Sequence, residues 1–222
     1  MRRLKAQQPV DDSLEPGGEF DNWATPPWAV VALMPHLLWR RAEPWVVVDP
    51  GAGTGVVTLT ALAHGLQASH VLGVELHPGR ARLCAEQFDK HITAPHTVMC
   101  ADWTHNAVTA KFHAWVQRIG RPALIIGNPP CTKPRDTIGL EFVEWSLRAA
   151  GTKGCVALLL PLDFASGVER YDRVHANARA CCYPLRRRPS FGSTNGSSSG
   201  QRPVAWFVWD ALRQDRGDFR VL

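Results

Sequence analysis

Trp45-Val46-Val47-Val48-Asp49-Pro50-Gly51-Ala52-Gly53-Thr54-Gly55 decides the fold class of this chain. A short β-branched run ends in an acid, and a glycine turn then opens into the apolar stretch from Val56 to Ala63. That order predicts a strand, a glycine loop and a buried helix. Glycine lets the backbone take positive φ and approach a ligand closely, while a helix start offers unpaired N–H groups to a carboxylate or phosphate. Two nucleotide-binding readings are disfavoured. A Walker loop ends in Gly-Lys-Ser/Thr, and the dinucleotide fingerprint places a third glycine three positions after its second; Val56 occupies the deciding position in both cases.

Downstream, Val71-Leu72-Gly73-Val74-Glu75 is a second apolar strand ending in an acid. It lies about 20 residues beyond the glycine loop, the offset of a ribose hydroxyl acceptor. A predicted helix from Pro78 to Lys90 leads to a third strand, His96 to Ala101, which ends at Asp102-Trp103. Asp102 can accept from an adenine amino group and Trp103 can cover the ring. Any one of these acids alone reads as an exposed carboxylate at a strand end. Acids at three successive strand ends read as a ligand-binding edge.

On these residues the chain resembles the class I S-adenosylmethionine-dependent methyltransferases. The resemblance implies a doubly wound, mostly parallel, seven-stranded α/β sheet of Rossmann-like type with its last strand antiparallel. It also implies S-adenosyl-L-methionine as cofactor, held by Asp49, Gly51, Gly53 and Gly55 at the methionine portion, Glu75 at the ribose, and Asp102 with Trp103 at the adenine. The upstream Thr25-Pro26-Pro27, entering an apolar helix, is similar to the family's additional donor-binding motif.

A second motif bears on the chemistry. Pro122 to Gly127 reads as the fourth strand, with Asn128-Pro129-Pro130-Cys131 at its carboxyl end, where open α/β sheets bind ligands. An exocyclic amine on an aromatic base is a poor nucleophile because its lone pair is delocalised into the ring. Accepting both its hydrogens, at the Asn128 side-chain oxygen and the Pro129 carbonyl, favours a pyramidal nitrogen whose lone pair faces the methyl group. Catalysis then comes from orientation and fixed dipoles, with no metal required.

The motif resembles the Asn/Asp/Ser-Pro-Pro-aromatic signature of methyltransferases acting on planar amine and amide nitrogens. Cys131 stands where an aromatic usually stacks on the flipped target, a contact worth roughly 1 to 3 kcal/mol per base. Phe191 and Trp145 are candidates to replace it. The closing region, Arg188 to Gly192, a polar loop and Ala205 to Asp210, is similar to compact, often phage-encoded, adenine-N6 DNA methyltransferases. The implied reaction is methylation of an exocyclic base nitrogen, with DNA adenine N6 favoured. Alternatives are an RNA base N-methyltransferase or a catalytically quiet donor-binding, nucleic-acid-binding protein.

Length and charge fit a nucleic-acid partner. The 222 residues suit one domain with an adequate core, here expected over residues 23–222 after a flexible polar segment 1–22. The formal charge of +5 favours a polyanion. Lys133, Arg135 and Arg187, within Arg186-Arg187-Arg188, are expected near phosphates. The loops from Thr132 to Ile138 and from Phe191 to Gln201 are the expected source of any short recognition set, since no separate recognition domain is recognisable. The six cysteines lack C-x-x-C spacing and read as reduced thiols of a cytoplasmic protein. The histidines show no zinc-ligand pattern, and no apolar stretch reaches membrane-spanning length.

Helices are also predicted over about Pro27 to Arg40, Gly55 to Gly65, Thr109 to Ile119, Gly139 to Ala150 and Ser166 to Ala178. The remaining strands are expected at Cys155 to Leu160, Cys181 to Arg187 and Val204 to Trp209.

Overall fold

A computed structural model describes residues 24–37, 44–131, 137–176, 180–189 and 203–211. The expected boundary at residues 22 and 23, with the polar segment before it, lies outside the described residues. Each of the seven expected strands forms: β1 Trp45–Asp49, β2 Ala68–Glu75, β3 His96–Cys100, β4 Ala123–Gly127, β5 Cys155–Pro161, β6 Cys181–Pro184 and β7 Val204–Asp210. They form one seven-stranded sheet in the order β3-β2-β1-β4-β5-β7-β6. The pairs among β1 to β5 are parallel, while β7 runs antiparallel to both β5 and β6.

Alternate residues of the central strands feed two core layers. Val47, Val71, Leu124, Ile126, Ala157 and Trp206 face helices α1 (Pro27–Leu37), α2 (Val56–Ala63) and α3 (Pro78–His91). Val46, Val48, Leu72, Ile125, Val156 and Phe207 face α4 (Asn106–Ile119) and α5 (Ile138–Ala150). Every residue of β1 and β4 is buried, which is why these strands read as unbroken apolar runs without alternation. The Trp206 indole donates to the Ala29 carbonyl at 2.8 Å and ties α1 to β7.

Two elements differ from the prediction. In place of a helix from Ser166 to Ala178, a 3₁₀ turn (Leu162–Ala165) leads through Gly167 into α6 (Val168–Arg170) and a π-helical turn (Tyr171–His175). Gly167 has φ +113°, which breaks any helix running through it. Strand β6 stops at Pro184, short of the expected Arg187, although Leu185 still donates to the Val204 carbonyl at 3.1 Å. The first helix is described to Leu37 with Pro35 inside it, and its expected end at Arg40 lies outside the described residues.

Because β1 and β4 are neighbours and parallel, their carboxyl ends open on the same edge of the sheet. Chain order reverses between them, at the crevice where open sheets of this kind take their ligands.

Candidate active site

The glycine loop is built from backbone bonds. Ala52 N–H donates to the Val74 carbonyl at 3.0 Å, and Gly55 N–H to the Ala52 carbonyl at 2.7 Å. Gly53 and Gly55 have φ of +55° and +88°, conformations that other residues adopt only under strain. A Cβ on Gly53 would meet nothing within 4 Å, so the loop leaves open space in front of it. No side chain caps α2, whose first-turn amides follow Gly55.

Glu75 lies beside this loop and is buried. Its Oε1 accepts from His77 N–H at 2.8 Å and from Arg80 Nε and Nη2 at 3.1 and 2.8 Å. Oε2 accepts from Gly53 N–H at 2.8 Å. Arg80, buried in the first turn of α3, is a partner the sequence reading missed. The available signal was a cation at a helix start, where the macrodipole disfavours one. Ala101 N–H donates to the Glu75 carbonyl at 3.0 Å, which brings the ends of β2 and β3 together. Asp102 is exposed, with Oδ1 accepting from Thr104 N–H and Oγ1 at 2.8 and 2.7 Å. Trp103 is placed differently from the expectation that it covers a ligand ring. Its side chain is 1% exposed, packs on Phe112 and donates to Ser146 Oγ at 3.3 Å, so it stands in the core behind the edge.

Asp49 is fully buried between the glycine loop and Gly127 of β4. Thr58 Oγ1 donates to its Oδ2 at 3.2 Å, while Oδ1 has no hydrogen-bond partner among the described residues. Burial pushes its carboxyl up to about 7, opposed by hydrogen bonds from Thr58 and the Gly51 backbone and reinforced by the negative charge of Glu75. Thr25 is buried and Pro26 half-buried at the entry to α1, which packs on the same core layer as α2.

Asn128, Pro130 and Cys131 are half-buried and Pro129 is buried. A Cβ built on Gly51 would stand 3.8 Å from the Asn128 carbonyl oxygen and 3.9 Å from the Pro129 Cα, so the glycine loop and the Asn-Pro-Pro loop touch. The Cys131 thiol donates to the Pro129 carbonyl at 3.3 Å, using one of that oxygen's two lone pairs.

Beyond Cys131 opens a cavity of about 270 Å³. Its lining includes Thr137, Leu140, Pro161, Phe164, Val168 and Arg170. The volume falls just below the roughly 300 Å³ at which pockets for drug-sized ligands begin, and suits one planar ring system. Phe164 brings an aromatic ring to this wall that the sequence reading did not single out. Trp145 instead packs on α5 beneath the Arg148 guanidinium, 4.9 Å from its ring centre, and is not among the lining residues. Arg187 is exposed after β6, its guanidinium 4.3 Å from the Trp28 ring centre. Lys133, Arg135 and Phe191 lie outside the described residues. Among the described residues no group of three or more His, Cys, Asp or Glu side chains is arranged to hold a metal ion, and no helix is long and apolar enough to cross a membrane.

No family model matches the sequence, and no curated protein matches it either. Solved structures do. A candidate class I S-adenosylmethionine-dependent methyltransferase from Listeria monocytogenes superposes with a TM-score of 0.63 at 14% identity, over 87% of this chain and 63% of that one. A candidate RNA methyltransferase from Pyrococcus horikoshii gives 0.62 at 18% identity, over 88% and 89% of the two chains. The M protein of the type I restriction enzyme EcoKI gives 0.58 at 18% identity, over 89% of this chain and 47% of that one. The chain thus spans less than two thirds of the Listeria and EcoKI proteins. Strand order, the antiparallel β7 and these superpositions agree on one architecture: the chain has the seven-stranded, Rossmann-like fold of the class I methyltransferases.

Proposed function

We propose that this protein transfers a methyl group from S-adenosyl-L-methionine to an exocyclic base nitrogen, most specifically adenine N6 in DNA. The contact between the Gly51 loop and the Asn128-Pro129 loop carries this reading, since methyl transfer needs donor and acceptor in one crevice. The open space before Gly53, the uncapped start of α2 and the acids ending β2 and β3 fit such a donor. The α2 amides would hold its carboxylate, Glu75 Oε2 a ribose hydroxyl, and Asp102 Oδ2 the adenine amino group.

When bound, the sulfonium donor supplies an electrophilic methyl carbon. Asn128 Oδ1 and the remaining lone pair of Pro129 O accept the two hydrogens of the target amine and turn its lone pair toward that carbon. As the N–C bond forms the S–C bond breaks, and one amine proton then leaves to solvent. The Pro129 oxygen belongs to the backbone and already accepts from the Cys131 thiol, so its dipole needs little reorganisation as positive charge grows on nitrogen. The cavity beyond Cys131 is the space for the extruded base, with Phe164 as its aromatic wall.

Proteins described as RNA and as DNA methyltransferases both share the fold, so RNA is the second acceptor to test. The net positive charge supports a nucleic-acid partner, and the six free cysteines support a reducing, cytoplasmic setting. The test is transfer of labelled methyl to DNA, RNA and protein, followed by digestion to nucleosides and identification of the product by mass. N6-methyladenine that is lost in Asn128→Ala is the expected result. Transfer to protein alone, or transfer indifferent to Asn128→Ala, refutes the assignment.

A further inference from the structure

The most exposed of the large apolar side chains among the described residues are Val168 and Tyr171, at 80% and 60% exposure. They stand three residues apart on one helical turn and so share a face. Val168 also lines the cavity that Cys131 lines, and Tyr171 follows it by one helical turn outside that lining.

The turn that presents them is braced on both flanks. Arg170 donates from Nη1 to the carbonyls of Asp163 and Ser166 at 2.7 and 2.8 Å, with its guanidinium 5.5 Å from the Phe164 ring centre. Arg173 makes a fork to both carboxylate oxygens of Glu144 on α5, at 3.0 and 2.6 Å, and reaches Glu169 at 2.6 Å. Val174 is buried, and His175 Nε2 lies 3.1 Å from the Phe164 carbonyl oxygen. A turn fastened by two arginines and a buried valine holds its exposed side chains in place at the cost of leaving apolar surface in water.

Charge along the same edge identifies the partner. Strands β5 and β6 both run antiparallel to β7, so β6 ends on the edge where β5 ends. Arg186, Arg187 and Arg188 follow β6 there, all exposed. A basic run on the same edge as a braced apolar knob and a pocket that suits one planar base matches a duplex from which one nucleotide is extruded. Proteins that kink or open a duplex insert apolar side chains between base steps, and successive bases stack on aromatic rings.

We infer that the braced turn from Ser166 to His175 is a duplex-opening wedge, with Val168 entering the base stack beside the extruded nucleotide and Tyr171 stacking on its neighbour. The inference rests on the base-methylation reading and narrows its substrate to duplex DNA, because a single strand needs no wedge.

The test compares methyl transfer to random-sequence duplex DNA and to the same strands denatured, for wild type, Val168→Ala, Tyr171→Ala and Tyr171→Phe, with thermal unfolding of each protein. Both side chains are exposed, so unfolding temperatures should stay at the wild-type value. Loss of one stacking contact should lower transfer to duplex by about 10- to 100-fold in Tyr171→Ala, while denatured strands are affected far less and Tyr171→Phe recovers most of the loss. Val168 also lines the cavity, so Val168→Ala should lower transfer to both substrates, with the larger loss on duplex. Variants equal to wild type on duplex, or equally impaired on both substrates, overturn the wedge while base methylation stands. Wild type that methylates neither form of DNA nor RNA overturns both readings, and transfer confined to RNA overturns the wedge and the DNA assignment.

Discussion

Asp49→Asn should remove a pH dependence of stability that wild type carries between about pH 4 and pH 7. The Asp49 carboxyl is wholly buried and raised from 3.8 to about 7, with Thr58, Gly51, Glu75 and Cys84 as the groups that act on it or answer to it. In the unfolded chain the group ionises near its ordinary value, while in the folded protein it keeps its proton until about pH 7. The unfolded state therefore releases a proton that the native state retains, and native stability falls as pH rises through this window. A tenfold change in proton affinity is worth about 1.4 kcal/mol, so the rise from 3.8 to about 7 amounts to on the order of 4 kcal/mol. That is a large part of the roughly 5–15 kcal/mol typical of a domain. Urea unfolding of both proteins in steps from pH 4 to pH 8 isolates the effect as the difference between them, because other titrating groups cancel. The wild-type excess over Asp49→Asn should shrink by that amount and then level off. A difference that stays flat across the range refutes the buried, protonated Asp49.

Gly127→Ala would place a Cβ 2.8 Å from Asp49 Oδ1 and 3.1 Å from Pro50 Cδ, so a loss of about 1–3 kcal/mol is expected in urea unfolding; wild-type stability would deny the close approach. Arg80→Gln strips Glu75 of its buried cation and should cost about 3–5 kcal/mol, with a neutral result at pH 7 showing that the pair is not formed. His96 is raised from its ordinary value by its bond to the Ala94 carbonyl and then by Asp89. Its bonds therefore stabilise the fold below the ordinary histidine range, and that contribution is lost as pH rises through the folded value. Asp89→Asn should lower the His96 midpoint in an NMR titration; an unmoved midpoint excludes the ion pair.

The strands were legible because burial on both faces leaves a continuous apolar run, as in Val46 to Val48 and Cys155 to Leu160. The ends of β1 and β2 were legible because Asp49 and Glu75 are their last residues, and Asp102 follows the end of β3 by two. The form of the segment after β5 was not, since Ser166 to Ala178 has helix-compatible residues, while the conformation of Gly167 delays the start to Val168 and the backbone from Tyr171 to His175 is π-helical. Trp103 misled because an aromatic after an edge acid reads alike whether it turns out or in; its bond to Ser146 lies 43 residues away in sequence. Arg80 was hidden for a related reason, a surface-type residue whose partner becomes visible only once β2 and α3 are packed. The place of Phe164 in the cavity wall depends on the return of β5 beside β4, which no local pattern encodes.

Glu75 gathers four N–H donors from the loop, the chain after β2 and the first turn of α3. The glycine turn is thereby latched before any guest arrives, and the conformational freedom that a flexible loop would surrender on binding is already given up during folding. On the proposed reading, an incoming ribose hydroxyl would either share Oε2 with the Gly53 amide or displace it. Affinity at this position is then governed by how firmly the latch is set, so weakening it from Arg80 would slacken the grip without altering a single atom that touches the ligand.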